Sequence, residues 1–246
     1  MTQKSFRLNP VSKERNYGKQ AIEITASLMC CNPLILGDEI RMLCDAGCDG
    51  LHIDIMDGFF VKNFAMNIRD ICHIRKITSL PITAHLMIYE PSSYLTALAA
   101  AGADRVIIHP ESCQETLVVL ETLHSLGVKA GIALSPATPL SNLTTRSLSL
   151  IDTVLMMAVK PGFSGQPYLP ETADKITQIR QILKMHLAPH VLIEVDGAVS
   201  VQTVPDLYDR GARKFVAGSS GLFLEGKSYT QALRELKTSI SYSRVG

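Results

Sequence analysis

From residue 22 onward one unit recurs along the chain: a short β-branched apolar run, a turn rich in glycine, proline or aspartate, and an amphipathic helix. Strand-like runs lie at 22–27, 50–56, 82–87, 104–108, 128–134, 151–157, 191–195 and 214–217. Helix-like segments alternate with them near 36–46, 67–77, 92–101, 113–125, 140–147, 170–185, 201–210 and 229–240. Strands that alternate with helices build βαβ units and a parallel sheet. Eight strands with eight helices favour a closed barrel over an open doubly wound sheet, and no linker-like stretch interrupts the series. The expected fold is therefore α/β, a single (β/α)8 TIM barrel over residues 21–246. The length of 246 residues agrees, since one such barrel needs roughly 250.

Local punctuation supports the helices. Pro91-Ser92-Ser93 is expected to open the third helix with capping residues, and Gly102 to close it. Gly47, Gly102, Gly127 and Gly211 each fall between a helix and a strand, where a left-handed stop is needed. SNLTTRSLSL, at the fifth helix, is rich in poor helix formers.

Composition narrows the function classes. Hydrophobic residues make up 46% of the chain and charged residues 19%, enough apolar material for a large core. A formal net charge of +1 offers no general field for nucleic acid or membrane. The sequence has no run of about 18 apolar residues that would span a bilayer, and MTQKSFRLNP lacks the apolar stretch of a secretory signal. A soluble cytoplasmic protein is expected. Residues 1–20 carry five basic side chains against Glu14, a net of +4, and are expected to form a flexible tail. Cys30, Cys31, Cys44, Cys48, Cys72 and Cys113 form no CxxC pair and fit no disulfide framework, so reduced packing thiols are expected.

In a parallel barrel the reactive groups belong at the C-terminal strand ends and in the loops that follow. Strand two reads LHIDIMDG, so His52, Asp54 and Met56 share one face while Leu51, Ile53 and Ile55 share the other. The outer face packs on helices, which leaves the imidazole and the carboxylate inside. A buried unpaired carboxylate costs several kcal/mol, so this placement needs a metal, a cation or a shared proton. Strand three adds His85 and Met87, and strand seven ends at Asp196. Two imidazoles and two carboxylates from three strands can surround one divalent cation, and mixed N/O ligation suits Zn²⁺, Mn²⁺, Fe²⁺ or Co²⁺. Glycine-flanked turns follow strands six (VKPGFSGQP) and eight (VAGSSGLF), where the last loops of a barrel often hold phosphate.

At these residues the chain resembles the ribulose-phosphate 3-epimerase family. The matching stretches are SLMC (27–30), HIDIMDG (52–58), HLM (85–87), HPE (109–111), KAGIALSPATPL (129–140), PGFSGQ (161–166), EVDG (194–197) and AGSSGLF (217–223), in order along the chain. Within the family, SLMC, HIDIMDG and SGLF look closer to the D-allulose-6-phosphate branch than to the pentose branch.

The resemblance implies that His52, Asp54, His85 and Asp196 hold the metal, with Asp54 and Asp196 as the acid/base pair. Ser27 and His85 would contact substrate, and Met56, Met87 and Met157 would wall the reacting carbon. Gly162, Phe163, Ser164 and Gly165, with Gly197 and Ala198, and Gly218, Ser219 and Ser220, would hold the sugar phosphate. Neither NAD nor another organic cofactor is implied, and a homo-oligomer is.

Three departures from the family pattern stand out. Lys160 replaces an Asn, Asp or Glu, Lys62 replaces a Pro, and Ala198 occupies a position commonly Gly or Ser. His73, His124, His186 and His190 read as surface residues; His109 ends strand four near the mouth, where satisfying a loop hydrogen bond is the preferred reading over orienting substrate. The expected activity is 3-epimerisation of a 2-ketose phosphate, first D-allulose 6-phosphate and alternatively D-ribulose 5-phosphate. A Schiff-base aldolase or decarboxylase using Lys160 and a non-catalytic sugar-phosphate sensor are the competing readings.

Overall fold

In a computed structural model, which describes residues 22–240, eight parallel strands close into one barrel in sequence order. The strands are β1 (Glu23–Ser27), β2 (Gly50–Met56), β3 (Ile82–Met87), β4 (Arg105–Ile108), β5 (Lys129–Leu134), β6 (Thr153–Met157), β7 (Leu192–Asp196) and β8 (Lys214–Ala217). Helices α1 (Leu36–Asp45), α2 (Ile68–Ile74), α3 (Leu95–Ala101), α4 (Thr116–Ser125), α5 (Thr145–Leu148), α6 (Glu171–Met185), α7 (Val204–Arg210) and α8 (Tyr229–Ser239) follow them in turn. β8 pairs with β1, so no strand edge is left open. The basic segment 1–20 lies outside the described residues. No helix of the described residues is long and apolar enough to cross a membrane.

The strands form where the apolar runs predict them because both faces are buried. All seven residues of β2 are buried. Leu51, Ile53 and Leu86 point outward into the main core, which α1, α2 and α3 cover with Leu43, Ile71 and Leu98. Removing a side chain of this size from water contributes about 1.5–3 kcal/mol. Inside the barrel a separate layer of Ile107, Ala133, Leu155, Met157, Val159 and Val216 fills the lumen, so the barrel is packed and not a pore.

Register decides which side chains meet at the mouth. Ser27 lies opposite His52, Asp54 opposite His85, Met56 opposite Met87, and Met157 opposite Asp196. Because side chains alternate along each strand, these register pairs share the inner face.

Some helix ends differ from expectation. The third helix is opened by a 3-10 turn over Pro91–Tyr94, with Glu90 left-handed at φ 49°, and neither serine caps it. Pro91 itself supplies the preset φ that a first turn needs. α5 is one turn of four residues, capped by Thr144, which accepts from the Ser147 amide; its poor helix formers sustain no more. Gly102 closes α3 at φ 97°, as expected.

Candidate active site

β2, β3 and β7 deliver four donors to one point at the C-terminal mouth. The ligand atoms of His52, Asp54, His85 and Asp196 all lie within 4.8 Å of one another. His85 Nδ1 is 3.1 Å from Asp54 Oδ1 and 3.6 Å from Asp196 Oδ2. His52 Nε2 is 3.3 Å from Asp54 Oδ1, 3.6 Å from Asp196 Oδ2 and 3.3 Å from His85 Nδ1. Ser27 Oγ donates to Asp54 Oδ2 at 3.2 Å. Both imidazoles have no solvent exposure.

This donor set fits a divalent cation. Bonds of about 2.0–2.2 Å to N and O place neighbouring donors about 3.0–3.5 Å apart around a first-row ion, close to the separations above. Two carboxylates beside two neutral rings carry two negative charges into a buried place, and that arrangement is costly without a counter-ion. The field at the site shows the same preference. Burial opposes a charged His52, yet Asp54, Asp196 and Glu194 outweigh it and hold its pKa up at about 9. A site that attracts a proton so strongly attracts a dication for the same reason.

The two carboxylates are driven apart. Burial pushes the Asp196 carboxyl up to about 7 against the pull of His52, helped by the negative charges of Asp54 and Glu194. Asp54 is the more deeply buried of the two, but contacts from His52 and His85 overcome the burial and hold it well below the usual carboxylate range. Two carboxyls with opposed shifts are what an acid/base pair needs. Asp54 and Asp196 reach the mouth from strands separated by β8 and β1.

Above these groups opens a cleft at the barrel mouth. Ser27, Met56, Met87 and Met157 line it, as do Gly162 to Gly165, Gly197 and Ala198, and Gly218 to Ser220. His52 and His85 lie beneath this lining, in the packed floor. Met56 and Met87 pack with Val61, and Met29 and Phe60 join them. The left-handed pair Gly197 (φ 100°) and Ala198 (φ 51°) turns the chain sharply after Asp196. Asn63 Nδ2 donates to the Gly162 carbonyl at 2.7 Å, tying the loop after β2 to the loop after β6. Gln166 Nε2 donates to the Lys160 and Phe163 carbonyls at 2.6 and 2.9 Å and closes the second loop on itself. Asp57 accepts from the Phe59 and Phe60 amides, both at 2.8 Å, and from the Tyr89 amide at 2.8 Å, which anchors the loops after β2 and β3.

The sequence analysis did not assign Met29, Cys30, Val159, Gln166 or Asn63. Met29 sits inside the quoted SLMC stretch, two residues after Ser27, so its signal was present. Lys160, noted for its chemistry, does line the cleft, whereas Lys62 lies over the Phe59 ring at 5.6 Å. His73, His124, His186 and His190 are exposed, as expected. His109 is fully buried; its Nδ1 lies 3.4 Å from both Glu111 Oε1 and Ser135 Oγ, the loop contacts expected of it, and its Nε2 lies 2.9 Å from His85 Nε2. The contact with His85 goes beyond that expectation, because the register His85 to Ile107 carries the chain end inward behind His85.

A closed parallel barrel with its titratable groups gathered at the C-terminal mouth defines a (β/α)8-barrel enzyme. Its relatives place it further. The Ribulose-phosphate 3 epimerase family profile matches residues 23–223. The ribulose-phosphate 3-epimerase of Bacillus subtilis (strain 168) is 37% identical over 199 residues, covering 81% of this chain and 91% of that one. The chloroplastic ribulose-5-phosphate-3-epimerase of Arabidopsis thaliana is 36% identical over 231 residues, covering 93% of this chain and 80% of that one. Among solved structures, a mutant tryptophan synthase α-subunit from Pyrococcus furiosus matches with a TM-score of 0.62 at 16% identity, covering 90% of this chain and 96% of that one. The last likeness is one of fold. The chain belongs to the ribulose-phosphate 3-epimerase family, and it is an isomerase acting on carbohydrate.

Proposed function

We propose that the protein interconverts D-ribulose 5-phosphate and D-xylulose 5-phosphate, with one of Asp54 and Asp196 removing the C3 proton and the other supplying a proton to the opposite face. The observation that carries the reading is the pair of carboxyls, Asp54 buried and Asp196 half-buried, with opposed pKa shifts in one four-donor cluster at the floor of the cleft. The pentose substrate takes precedence over D-allulose 6-phosphate because the two relatives above carry the pentose name at 37% and 36% identity. The SLMC, HIDIMDG and SGLF stretches remain the argument for the hexose.

His52, Asp54, His85 and Asp196 would hold the divalent ion. When bound, such an ion supplies Lewis-acid polarisation of the ketose carbonyl and charge stabilisation of the enediolate. The chain supplies the rest. One aspartate removes the proton from C3, and the other returns a proton to the opposite face. Their roles exchange when the reaction runs backward. Met56, Met87 and Met157 give the reacting carbon a wall without hydrogen-bonding groups and keep water from quenching the carbanion. The phosphate goes to the turns around Gly165, Ala198 and Ser219, which offer main-chain amides and serine hydroxyls. Lys160 is the cationic side chain among the described residues lining the cleft, and it adds charge there.

The test is kcat/KM for both ketose phosphates on the same metal-loaded preparation. A higher value for D-ribulose 5-phosphate supports the reading, and a higher value for D-allulose 6-phosphate restores the hexose assignment. Borohydride trapping with either substrate should give no Lys160 adduct.

A further inference from the structure

Behind the cluster runs a chain of contacts that epimerisation chemistry does not itself require. It starts at Asp54 Oδ1, 3.1 Å from His85 Nδ1. His85 Nε2 then meets His109 Nε2 at 2.9 Å, and His109 Nδ1 meets Glu111 Oε1 at 3.4 Å. Both rings are fully buried, and Phe60 packs against His109 with ring centroids 5.0 Å apart. Glu111 is fixed at the far end, where its Oε1 accepts from Ser135 Oγ at 2.8 Å and Thr138 Oγ1 at 2.7 Å.

The hydrogens can be counted. A neutral imidazole carries one N–H. Three links therefore share two hydrogens, and one link is left as two facing acceptors. Ionised Glu111 can only accept, so its link is made when His109 carries hydrogen on Nδ1. His109 Nε2 is then the acceptor, and His85 must donate from Nε2. The link without a hydrogen falls at His85 Nδ1 and Asp54 Oδ1, the two atoms that face the proposed metal position. A cation between them satisfies both. The opposite polarity would instead set a bare His109 Nδ1 against the Glu111 carboxylate, since Ser135 Oγ, 3.4 Å from that nitrogen, directs its hydrogen to Glu111 at 2.8 Å.

We infer that His109 and Glu111 are positioning residues, which fix the His85 tautomer so that its Nδ1 lone pair faces a divalent cation. Carboxylates behind a ligating histidine orient the ring and raise its basicity, and losing one typically weakens metal binding about 10–100-fold. Here the carboxylate acts one imidazole further away. The inference rests on the metal reading of the cluster.

Cobalt(II) titration of the whole chain, followed by its visible absorption, separates the two. The unsubstituted protein should bind one Co²⁺. Glu111→Ala should weaken that binding by about 10-fold or more and change the absorption bands, whereas Glu111→Gln, which keeps an acceptor oxygen for His109, should recover most of the affinity. A structural role alone would leave the bands of the bound cobalt unchanged. On the unsubstituted protein with Zn²⁺, long-range ¹⁵N–¹H correlation of the imidazoles should show His109 protonated at Nδ1 and His85 at Nε2, and this needs no variant to fold. Unchanged cobalt affinity and bands in Glu111→Ala, or His109 protonated at Nε2, would overturn the inference while leaving the metal reading intact. Failure of the unsubstituted protein to bind cobalt would overturn the metal reading and the inference with it.

Discussion

Replacing Gly197 by Ala tests how tightly Asp196, the proposed acid/base residue, is locked into the barrel. Gly197 follows Asp196 at φ 100°, and a Cβ there would lie 2.5 Å from Val159 Cγ2, 2.9 Å from Cγ1 and 3.1 Å from Cβ. Val159 is 5% exposed and packed in the lumen layer, so it cannot retreat. Gly47 provides the control. Its φ is 80°, and a Cβ there meets nothing within 4 Å. Both substitutions incur a positive-φ penalty of about 1–2 kcal/mol, offset by about 0.4–1 kcal/mol because Ala restricts the unfolded chain. Only Gly197→Ala adds overpacking, about 1–3 kcal/mol. That difference corresponds to a Tm about 2–12 °C lower than that of Gly47→Ala, read by thermal unfolding of the two variants side by side. Activity should separate them further, because a shift of about 1 Å in a reacting group can cost on the order of 10²-fold in rate. Val159→Ala should couple favourably with Gly197→Ala by about 1–3 kcal/mol. Equal destabilisation of the two glycine variants, or strict additivity with Val159→Ala, would refute the steric argument.

Three further outcomes follow from the same structure. Leu187 ends α6 in the left-handed region at φ 50° while 86% exposed; Leu187→Gly should raise stability by about 0.5–1 kcal/mol without changing turnover, checked by urea unfolding and kcat. Lys214 is buried with its Nζ 3.4 Å from Glu194 Oε2; Lys214→Met strands that carboxylate and should cost about 3–5 kcal/mol in urea unfolding, a loss the double variant with Glu194→Gln should partly recover. Burial opposes ionisation of Glu111, but His109 and Thr138 hold its carboxyl down at about 2. A depressed carboxyl contributes stability above its unfolded pKa of about 4.5, and that contribution is lost as pH falls toward 2. The stability gap between the metal-free protein and Glu111→Gln should therefore be largest near neutral pH, about 1–2 kcal/mol after allowance for solvent screening, and close over that acid window.

How much of this was legible in the sequence depended on the physics behind each feature. Alternation in HIDIM, TAHLM and IEVDG already assigned the inward faces, because strand side chains repeat every two residues. Barrel closure followed from eight repeated units. The same alternation marks Glu194 as inward, two residues before Asp196, yet its partner Lys214 comes from β8 and is seen only through the register of β7 on β8. The link from His109 and Glu111 to His85 was hidden for a related reason. They lie beyond the end of β4, and their meeting with His85 depends on loop geometry that no periodicity encodes. The 3-10 opening before α3 was missed because a serine after proline reads as a cap until Glu90 is seen to make the left-handed turn itself.

In the proposed reaction Asp54 and Asp196 act on opposite faces of C3, one removing a proton and the other supplying one. Its most direct test is turnover of D-ribulose 5-phosphate in D₂O by the metal-loaded protein, with product analysed for deuterium position. One deuterium is expected at C3 of D-xylulose 5-phosphate, with a loss of about 10²–10⁴-fold in rate for Asp54→Asn and for Asp196→Asn. Product without C3 deuterium, or either variant turning over at the unsubstituted rate, would contradict it.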